Sequence, residues 1–161
     1  MIWIVIFILA VVVDQVSKAV IIDKIPFGGH NEIIDGFFYI ANIRNKGAAW
    51  SMFQNGRYFF IVVGIAVSIV MAYYVYKSDS KFLSTSLTLV IGGAIGNIID
   101  RIFRGSVVDF LEFHFGSYTY PIFNLADCFV VVGTILLAYY LLFVYKEKPV
   151  EEEKEVEGQN E

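Results

Sequence analysis

The chain has 161 residues with a formal net charge of −4, and 57% of them are hydrophobic. Its mean hydropathy of +0.64 excludes an ordinary soluble domain. Four segments are each long enough to cross a hydrocarbon core of about 30 Å, which takes roughly 20 helical residues. They are 2–22, 59–76, 82–99 and 125–145. Because such unbroken apolar runs do not fit the alternating pattern of a membrane barrel, the sequence predicts an α-helical integral membrane protein with four transmembrane helices.

The charges outside these segments predict the domain limits and the orientation. Residues 1–146 form one predicted membrane domain, whereas 147–161 contain seven glutamates and carry a net charge of −5. We expect this second stretch to be an acidic, disordered tail. Basic residues in the short loop after the second segment and at the end of the fourth place both termini in the cytoplasm. Four basic residues in the first loop oppose that orientation.

The first segment contains two charged residues, Asp14 and Lys18. Residues four apart share a helix face, so the two side chains can pair. Placing a charged group inside a membrane costs free energy, so such residues occur mainly where they form ion pairs or take part in function. We interpret the pair as an ion pair that holds the helices together, with a direct catalytic role as the alternative.

Two stretches outside the predicted helices are rich in aromatic and β-branched residues, 35–43 and 105–113. Both are predicted as strands, and together they indicate a small sheet on the outer membrane surface. In the second strand, Asp109 shares a face with Leu111 and Phe113, since side chains alternate along a strand.

Two further polar segments adjoin the helices. In 45–51, Asn45 could hydrogen-bond the main chain of a substrate, although Asn-x-Gly also occurs in ordinary turns. Asn97, Asp100 and Arg101 form one polar face at the end of the third helix. Gly93 lies one turn earlier on that face, where it would allow a helix or a ligand to approach. A helix-packing motif with a snorkelling arginine is the alternative.

Two aspartates lie at the edges of long apolar stretches, Asp109 and Asp127. If they converge, they can share a proton and activate a water molecule that cleaves an amide. The chain also offers simpler explanations. Asn124 is a good helix N-cap, for which Asp127 would be the reciprocal capping partner, and Asp109 could be a charge on an edge strand.

The order and spacing of five motifs resemble the bacterial lipoprotein signal peptidases, also called signal peptidase II. The resemblance covers about residues 2–145, and each motif is weak alone but specific in combination. The motifs are DQVSK at 14–18, NKGAAWS at 45–51, GGAIGNIIDR at 92–101, VVDF at 107–110 and FNLAD at 123–127. Trp50 and Cys128 stand where the family would have Phe and often Ser, and neither is a catalytic position.

This resemblance implies a membrane aspartyl endopeptidase that removes the signal peptide from prolipoproteins, cutting before an S-diacylglyceryl-cysteine. It implies four helices with a β-cradle on the outer face of the bacterial inner membrane. Asp109 and Asp127 would be catalytic. Four residues would line the substrate site, namely Asn45, Asn97, Arg101 and Asn124. Four others would support it, namely Asp14, Lys18, Gly93 and Asp100.

The same resemblance implies inhibition by the cyclic peptide globomycin. A monomer in the phospholipid bilayer is expected, with no cofactor, no metal and no nucleic-acid partner. The zinc motif His-Glu-x-x-His is absent, because the chain has only His30 and His114. The Gly-x-Gly-Asp signature of presenilin-type proteases is also absent. A small transporter or ion channel is the alternative function, since charges within a membrane often mark ion paths.

Overall fold

A computed structural model of the chain describes residues 2–47 and 56–145. The predicted tail at 147–161 and residues 48–51 of the second motif lie outside the described residues. Four helices are long and apolar enough to cross a membrane, which confirms the predicted fold class. They are α1 (Ile2–Lys24), α2 (Arg57–Lys77), α3 (Lys81–Phe103) and α4 (Leu125–Tyr139), and α4 continues into a π-helical turn at Tyr140–Val144.

The helix α3 extends four residues beyond its predicted end, because hydropathy falls at Asp100 and Arg101 while the backbone remains helical. It is the central helix and packs against the other three. Glycines make this packing close. A Cβ atom on Gly93 would lie 2.3 Å from the carbonyl oxygen of Ala126 in α4. Gly93 therefore serves a helix contact and not the approach of a ligand, as expected where lipid provides no hydrophobic drive for helix association.

A four-stranded antiparallel sheet follows the strand order β1-β2-β3-β4. Its strands are β1 (His30–Ile34), β2 (Phe38–Asn45), β3 (Val107–Phe115) and β4 (Tyr118–Thr119). The two predicted strands are present but begin two or three residues later than expected. Gly36 and Gly105 adopt positive φ angles of 61° and 79°, so the chain is still turning there. The sequence did not indicate β1, whose five residues are all exposed, or the two-residue β4.

Candidate active site

A cavity of about 1000 Å³ lies where the sheet meets α3 and α4. Five of the predicted site residues line it, namely Asn45, Asn97, Arg101, Asp109 and Asp127. Phe60 and residues 130–132 form an apolar part of the wall, and 120–123 form another. The sequence did not indicate that these residues line the site, because nothing in it distinguishes them from lipid-facing or core residues.

Asp109 lies on β3 with only 3% of its surface exposed. Its carboxylate accepts hydrogen bonds from Asn45 Nδ2 at 2.9 Å and from Asn124 Nδ2 at 2.7 Å. Burial and, next, the charge of Asp127 raise the pKa of Asp109 to about 7, against the opposing effect of the two amide donors. The carboxyl group can therefore gain or lose a proton near neutral pH. Because Asp109 is buried and its carboxylate is bonded within the protein, the explanation as a solvent-facing charge on an edge strand does not fit.

Asp127 lies in the first turn of α4 and takes part in the expected capping box. Asn124 Oδ1 accepts from the backbone N–H of Asp127 at 3.0 Å, and Asp127 Oδ2 accepts from the backbone N–H of Asn124 at 3.2 Å. The other carboxylate oxygen, Oδ1, accepts from Asn97 Nδ2 at 2.8 Å. Since Asp127 also lines the cavity, capping accounts for only part of its environment.

Asn124 links Asp109 and Asp127, which we call the cavity aspartates. The side chain of Asn124 is completely buried. Its NH₂ group donates to Asp109, and its oxygen caps the helix that carries Asp127. One amide thereby fixes the strand carboxylate relative to the helix carboxylate.

The three site asparagines use both ends of their side-chain amides within the protein. Their NH₂ groups all donate to the cavity aspartates. The Asn45 oxygen accepts from the backbone N–H of Gly47, and the Asn97 oxygen accepts from Lys18 Nζ. The Asn124 oxygen accepts from the backbone N–H of Asp127. Their contacts in this structure therefore orient carboxylates, whereas their sequence-predicted role is substrate binding.

A second polar cluster joins α1 to α3 beside the cavity. Lys18 Nζ lies 2.9 Å from Asp14 Oδ2 and 3.2 Å from Asp100 Oδ2, and all three side chains are fully buried. The expected Asp14–Lys18 ion pair is thus present. Asp100 also accepts from Arg104 and from the backbone N–H of Val108.

The predicted polar face of α3 divides into two. At about 100° per residue, Arg101 lies roughly 40° to one side of Asn97 and Asp100 roughly 60° to the other. Asn97 and Arg101 consequently line the cavity, while Asp100 turns towards Lys18 on α1. This separation places a closed ion-pair cluster and an open site on the same helix.

Arg101 connects three parts of the site. Its Nη2 donates to the carbonyl of Gly47 at 3.1 Å and its Nη1 to that of Asn97 at 3.4 Å. The guanidinium lies 5.0 Å from the ring centroid of Phe60 on α2. Arg101 therefore holds the segment after β2 beside the cavity.

Sequence reasoning missed the roles of Gln15 and Arg104. Gln15 donates to Asp14 Oδ2, to Asp100 Oδ1 and to the carbonyl of Gly96, and it accepts from Arg104 Nη1. Gln15 belongs to the first motif, and Arg104 lies four residues after Asp100. A helix-face argument could have suggested the Arg104–Asp100 contact.

Within 2–47 and 56–145, no group of histidine, cysteine, aspartate and glutamate side chains is arranged to hold a metal ion. His30 and His114 both contact Glu112 on the sheet. The chemistry that the cavity offers is therefore that of its two carboxyl groups, with amide donors and an arginine beside them.

Comparison with known proteins decides the family. The family model described as Signal peptidase (SPase) II matches residues 6–143. The chain belongs to the signal peptidase II family. It is 47% identical over 131 residues to the lipoprotein signal peptidase of Bacillus pumilus (strain SAFR-032), covering 80% of this chain and 84% of that protein.

Two solved structures, both titled as a bacterial membrane enzyme determined by the in meso method, have the same fold. The structure at 2.3 Å resolution superposes with a TM-score of 0.81, 35% sequence identity, and coverage of 92% of this chain and 94% of the other. The structure at 1.9 Å gives a TM-score of 0.78 at 35% identity, covering 89% and 94%. As a signal peptidase II, the chain is a bacterial membrane protein and an aspartic-type endopeptidase, which favours the peptidase prediction over a transporter or channel.

Proposed function

We propose that this signal peptidase II removes the signal peptide of prolipoproteins by cutting immediately before the S-diacylglyceryl-cysteine, with Asp109 and Asp127 as its catalytic pair. One observation carries the proposal. The two carboxyl groups line the same cavity, and the side chains that bond them are amides, which donate without bringing a countercharge. Such a pair can hold one proton between its members at neutral pH.

The mechanism follows from that shared proton. The ionised member accepts a proton from a water molecule as the water oxygen forms a bond to the scissile carbonyl carbon. The protonated member donates its proton to the carbonyl oxygen, so that no full negative charge develops there. The tetrahedral intermediate then collapses. Its carbon–nitrogen bond breaks, and the leaving amine takes a proton from the carboxyl group that received one from water. One hydroxyl of the intermediate returns its proton to the other carboxylate as the new carbonyl forms, which restores the pair.

The surrounding residues would orient this chemistry. Asn45, Asn97 and Asn124 hold the two carboxylates in fixed positions through bonds of 2.7–2.9 Å. Arg101 would bind the peptide main chain, as its family position implies. A fixed geometry of this kind lowers the barrier by several kcal/mol, about the scale known for well-oriented groups.

The cavity walls support a substrate that carries lipid. Phe60 on α2 and residues 130–132 on α4 form an apolar side of the cavity. This side would accommodate the diacylglyceryl chains while the peptide contacts the aspartates. The cavity lies at the ends of the helices opposite Lys77 and Lys81. With those lysines in the cytoplasm, both termini are cytoplasmic and the active site faces the outer side of the inner membrane.

We further propose that the enzyme works as a monomer, because one chain supplies both aspartates and all their bonding partners. Globomycin would inhibit it by occupying the cavity next to the pair. Both proposals can be tested with the same purified protein, by its mass in a lipid nanodisc and by inhibition of cleavage.

The test is cleavage of a synthetic diacylglyceryl-prolipoprotein peptide in lipid, with the products identified by mass spectrometry. We expect one cut, before the lipidated cysteine, and at least a thousand-fold loss, about the scale of a catalytic group, in Asp109→Asn and in Asp127→Asn. Asp23→Asn is the matched control, because Asp23 is an exposed aspartate of α1 paired with Lys24. Equal cleavage of a peptide without lipid, or a cut elsewhere, would overturn the proposed specificity.

A further inference from the structure

Lys18 is a completely buried lysine whose three donors all have acceptors. They are Asp14 Oδ2 at 2.9 Å, Asp100 Oδ2 at 3.2 Å and Asn97 Oδ1 at 2.9 Å. The two carboxylates alone would satisfy a purely structural ion pair. The third acceptor, Asn97, belongs to the cavity, so Lys18 connects the ion-pair cluster to the proposed catalytic site.

The ammonium group is the closer of two donors that determine which way the Asn97 amide points. An ammonium only donates, so only the amide oxygen can face it. The NH₂ group must then point away from Lys18, and there it donates to Asp127 Oδ1 at 2.8 Å. Without Lys18, only the longer bond from Asn124 Nδ2 at 3.3 Å would oppose a half-turn of the amide. Such a turn would present the amide oxygen to the Asp127 carboxylate, which would repel it.

We infer that Lys18 is a positioning residue of the peptidase reaction, which acts through Asn97 to hold the Asp127 carboxylate in its catalytic position. The inference rests on the proposed role of the cavity aspartates. It differs from the simpler interpretation of Lys18, in which the lysine only holds α1 against α3. Lys18 does not line the cavity, so its effect on the reaction must pass through Asn97 or through its charge.

The charged groups around this connection come from every element packed on it. Helix α1 contributes Lys18 and Asp14, α3 contributes Asp100, Arg101 and Arg104, α4 contributes Asp127, and the strands contribute Asp109 and Arg44. The charged residues of α2 are at its two ends, where Arg57 bonds the carbonyl of Ile102. Among these groups, the positive charge of Lys18 opposes the effect of burial on the pKa of Asp109.

Both effects of Lys18 favour the ionised form of the aspartate pair. Its charge attracts the negative carboxylates, and the Asn97 NH₂ group that it orients donates to one of them. Removing Lys18 should therefore raise the pH at which the pair loses its first proton. The acid limb of the pH profile of kcat should move to higher pH, while KM changes little.

The decisive variant removes the lysine without leaving an unbalanced charge. Asp14→Asn with Lys18→Met deletes one negative and one positive group, whereas Asp14→Asn alone keeps the bond from Lys18 to Asn97. We expect the double variant to lose roughly 10- to 100-fold in kcat at pH 7 and to shift its acid limb upwards by about one pH unit. Asp14→Asn alone should not shift the acid limb upwards, because it keeps the bond from Lys18 to Asn97 and removes a negative charge near the pair. Lys24→Met on the same helix is the surface control.

The outcomes separate the inference from the proposed function. If the wild type cleaves the lipidated peptide and the folded double variant keeps both kcat and the acid limb, Lys18 is only structural and the inference is wrong. If the wild type does not cleave, the proposed function fails first. If the double variant does not fold, Asn97→Leu replaces it, because it removes the amide through which Lys18 would act on Asp127 without adding a charge. An unshifted acid limb in that variant would overturn the inference, and an upward shift would support it.

Discussion

Two pairs of aspartates lie inside the protein, and the pairs differ in the groups that bond their carboxylates. Asp14 and Asp100, the bundle aspartates, contact Lys18, and Asp100 also contacts Arg104. The cavity aspartates accept from asparagine amides and line a space of about 1000 Å³. A cationic partner keeps a buried carboxylate ionised, whereas neutral donors leave it able to exchange a proton. Burial alone does not distinguish Asp109 from the bundle aspartates, but the chemistry of its partners does.

Glycine contributes to this difference through the distance between helices. A Cβ atom on Gly96 would lie 2.5 Å from Asp14 Oδ2, so α1 and α3 approach closely enough to surround the ion pair with protein. The cavity aspartates lie instead on a strand and at a helix N-terminus, where element ends leave room for a ligand. The closed cluster is suited to stability and the open one to chemistry.

The largest effect on stability should come from breaking the closed cluster. Asp100→Leu would leave Lys18, Arg104 and the Val108 amide without their shared acceptor. Removing one partner of a buried ion pair lowers the free energy of unfolding by about 3–5 kcal/mol. Thermal unfolding in lipid should show a much lower Tm for Asp100→Leu, with Asp23→Leu, an exposed position, near the wild type. A Tm unchanged in both variants would contradict the role assigned to the cluster.

A smaller effect should follow from separating the helices that carry the two halves of the site. In Gly93→Ala the new methyl group would meet the Ala126 carbonyl at 2.3 Å and push α4 away from α3. Such overpacking costs about 1–3 kcal/mol, and the Asn97–Asp127 bond should be weakened with it. Tm and kcat should therefore both fall. In the control Gly64→Ala the methyl group would meet only the end of the Ile98 side chain, which can rotate, so a loss as large there would refute this account.

Replacing Asp109 by a neutral asparagine should change Tm by an amount that depends on pH. Burial and the charge of Asp127 raise the pKa of Asp109 to about 7. A carboxyl group with a raised folded-state pKa lowers stability as pH increases from its unfolded value near 4 towards 7. Asp109→Asn should remove this loss, so its Tm relative to the wild type should increase between pH 4 and pH 7 and stay constant above. A Tm difference independent of pH would contradict the assignment.

The smallest expected effect concerns Glu112 on the sheet, whose bonding partners are two histidines. Glu112 is 6% exposed and contacts His30 Nδ1 at 2.5 Å and His114 Nε2 at 2.8 Å. Burial raises the pKa of Glu112, but these two bonds outweigh it and lower the pKa overall. A lowered pKa stabilises the fold above the unfolded value, and that stability is lost as pH falls. Glu112→Gln should cost about 1 kcal/mol near pH 7, and the difference in Tm from the wild type should shrink towards pH 4.

The sequence predicted the helices and the family well, because long apolar runs and five ordered motifs are local signals. It also predicted the Asn124 cap and the Asp14–Lys18 pair, which depend on spacing within one helix. The contact of Asp100 with Lys18 could not be predicted, since the choice between Lys18 and the cavity depends on how α3 is rotated against α1. The strand β1 was missed because its side chains are exposed and carry no alternation. The use of both ends of each site asparagine likewise depends on contacts between distant elements.

The most direct test of the central claim compares the four aspartates in one assay. Asp14→Asn, Asp100→Asn, Asp109→Asn and Asp127→Asn are purified in lipid, and cleavage of the lipidated peptide is divided by the amount of folded protein. We predict two classes of variant. The bundle variants should yield less folded protein but keep measurable cleavage. The cavity variants should stay folded, and their cleavage rate should fall at least a thousand-fold, about the scale of a catalytic group. Cleavage by folded Asp109→Asn or Asp127→Asn near the wild-type rate would contradict the claim.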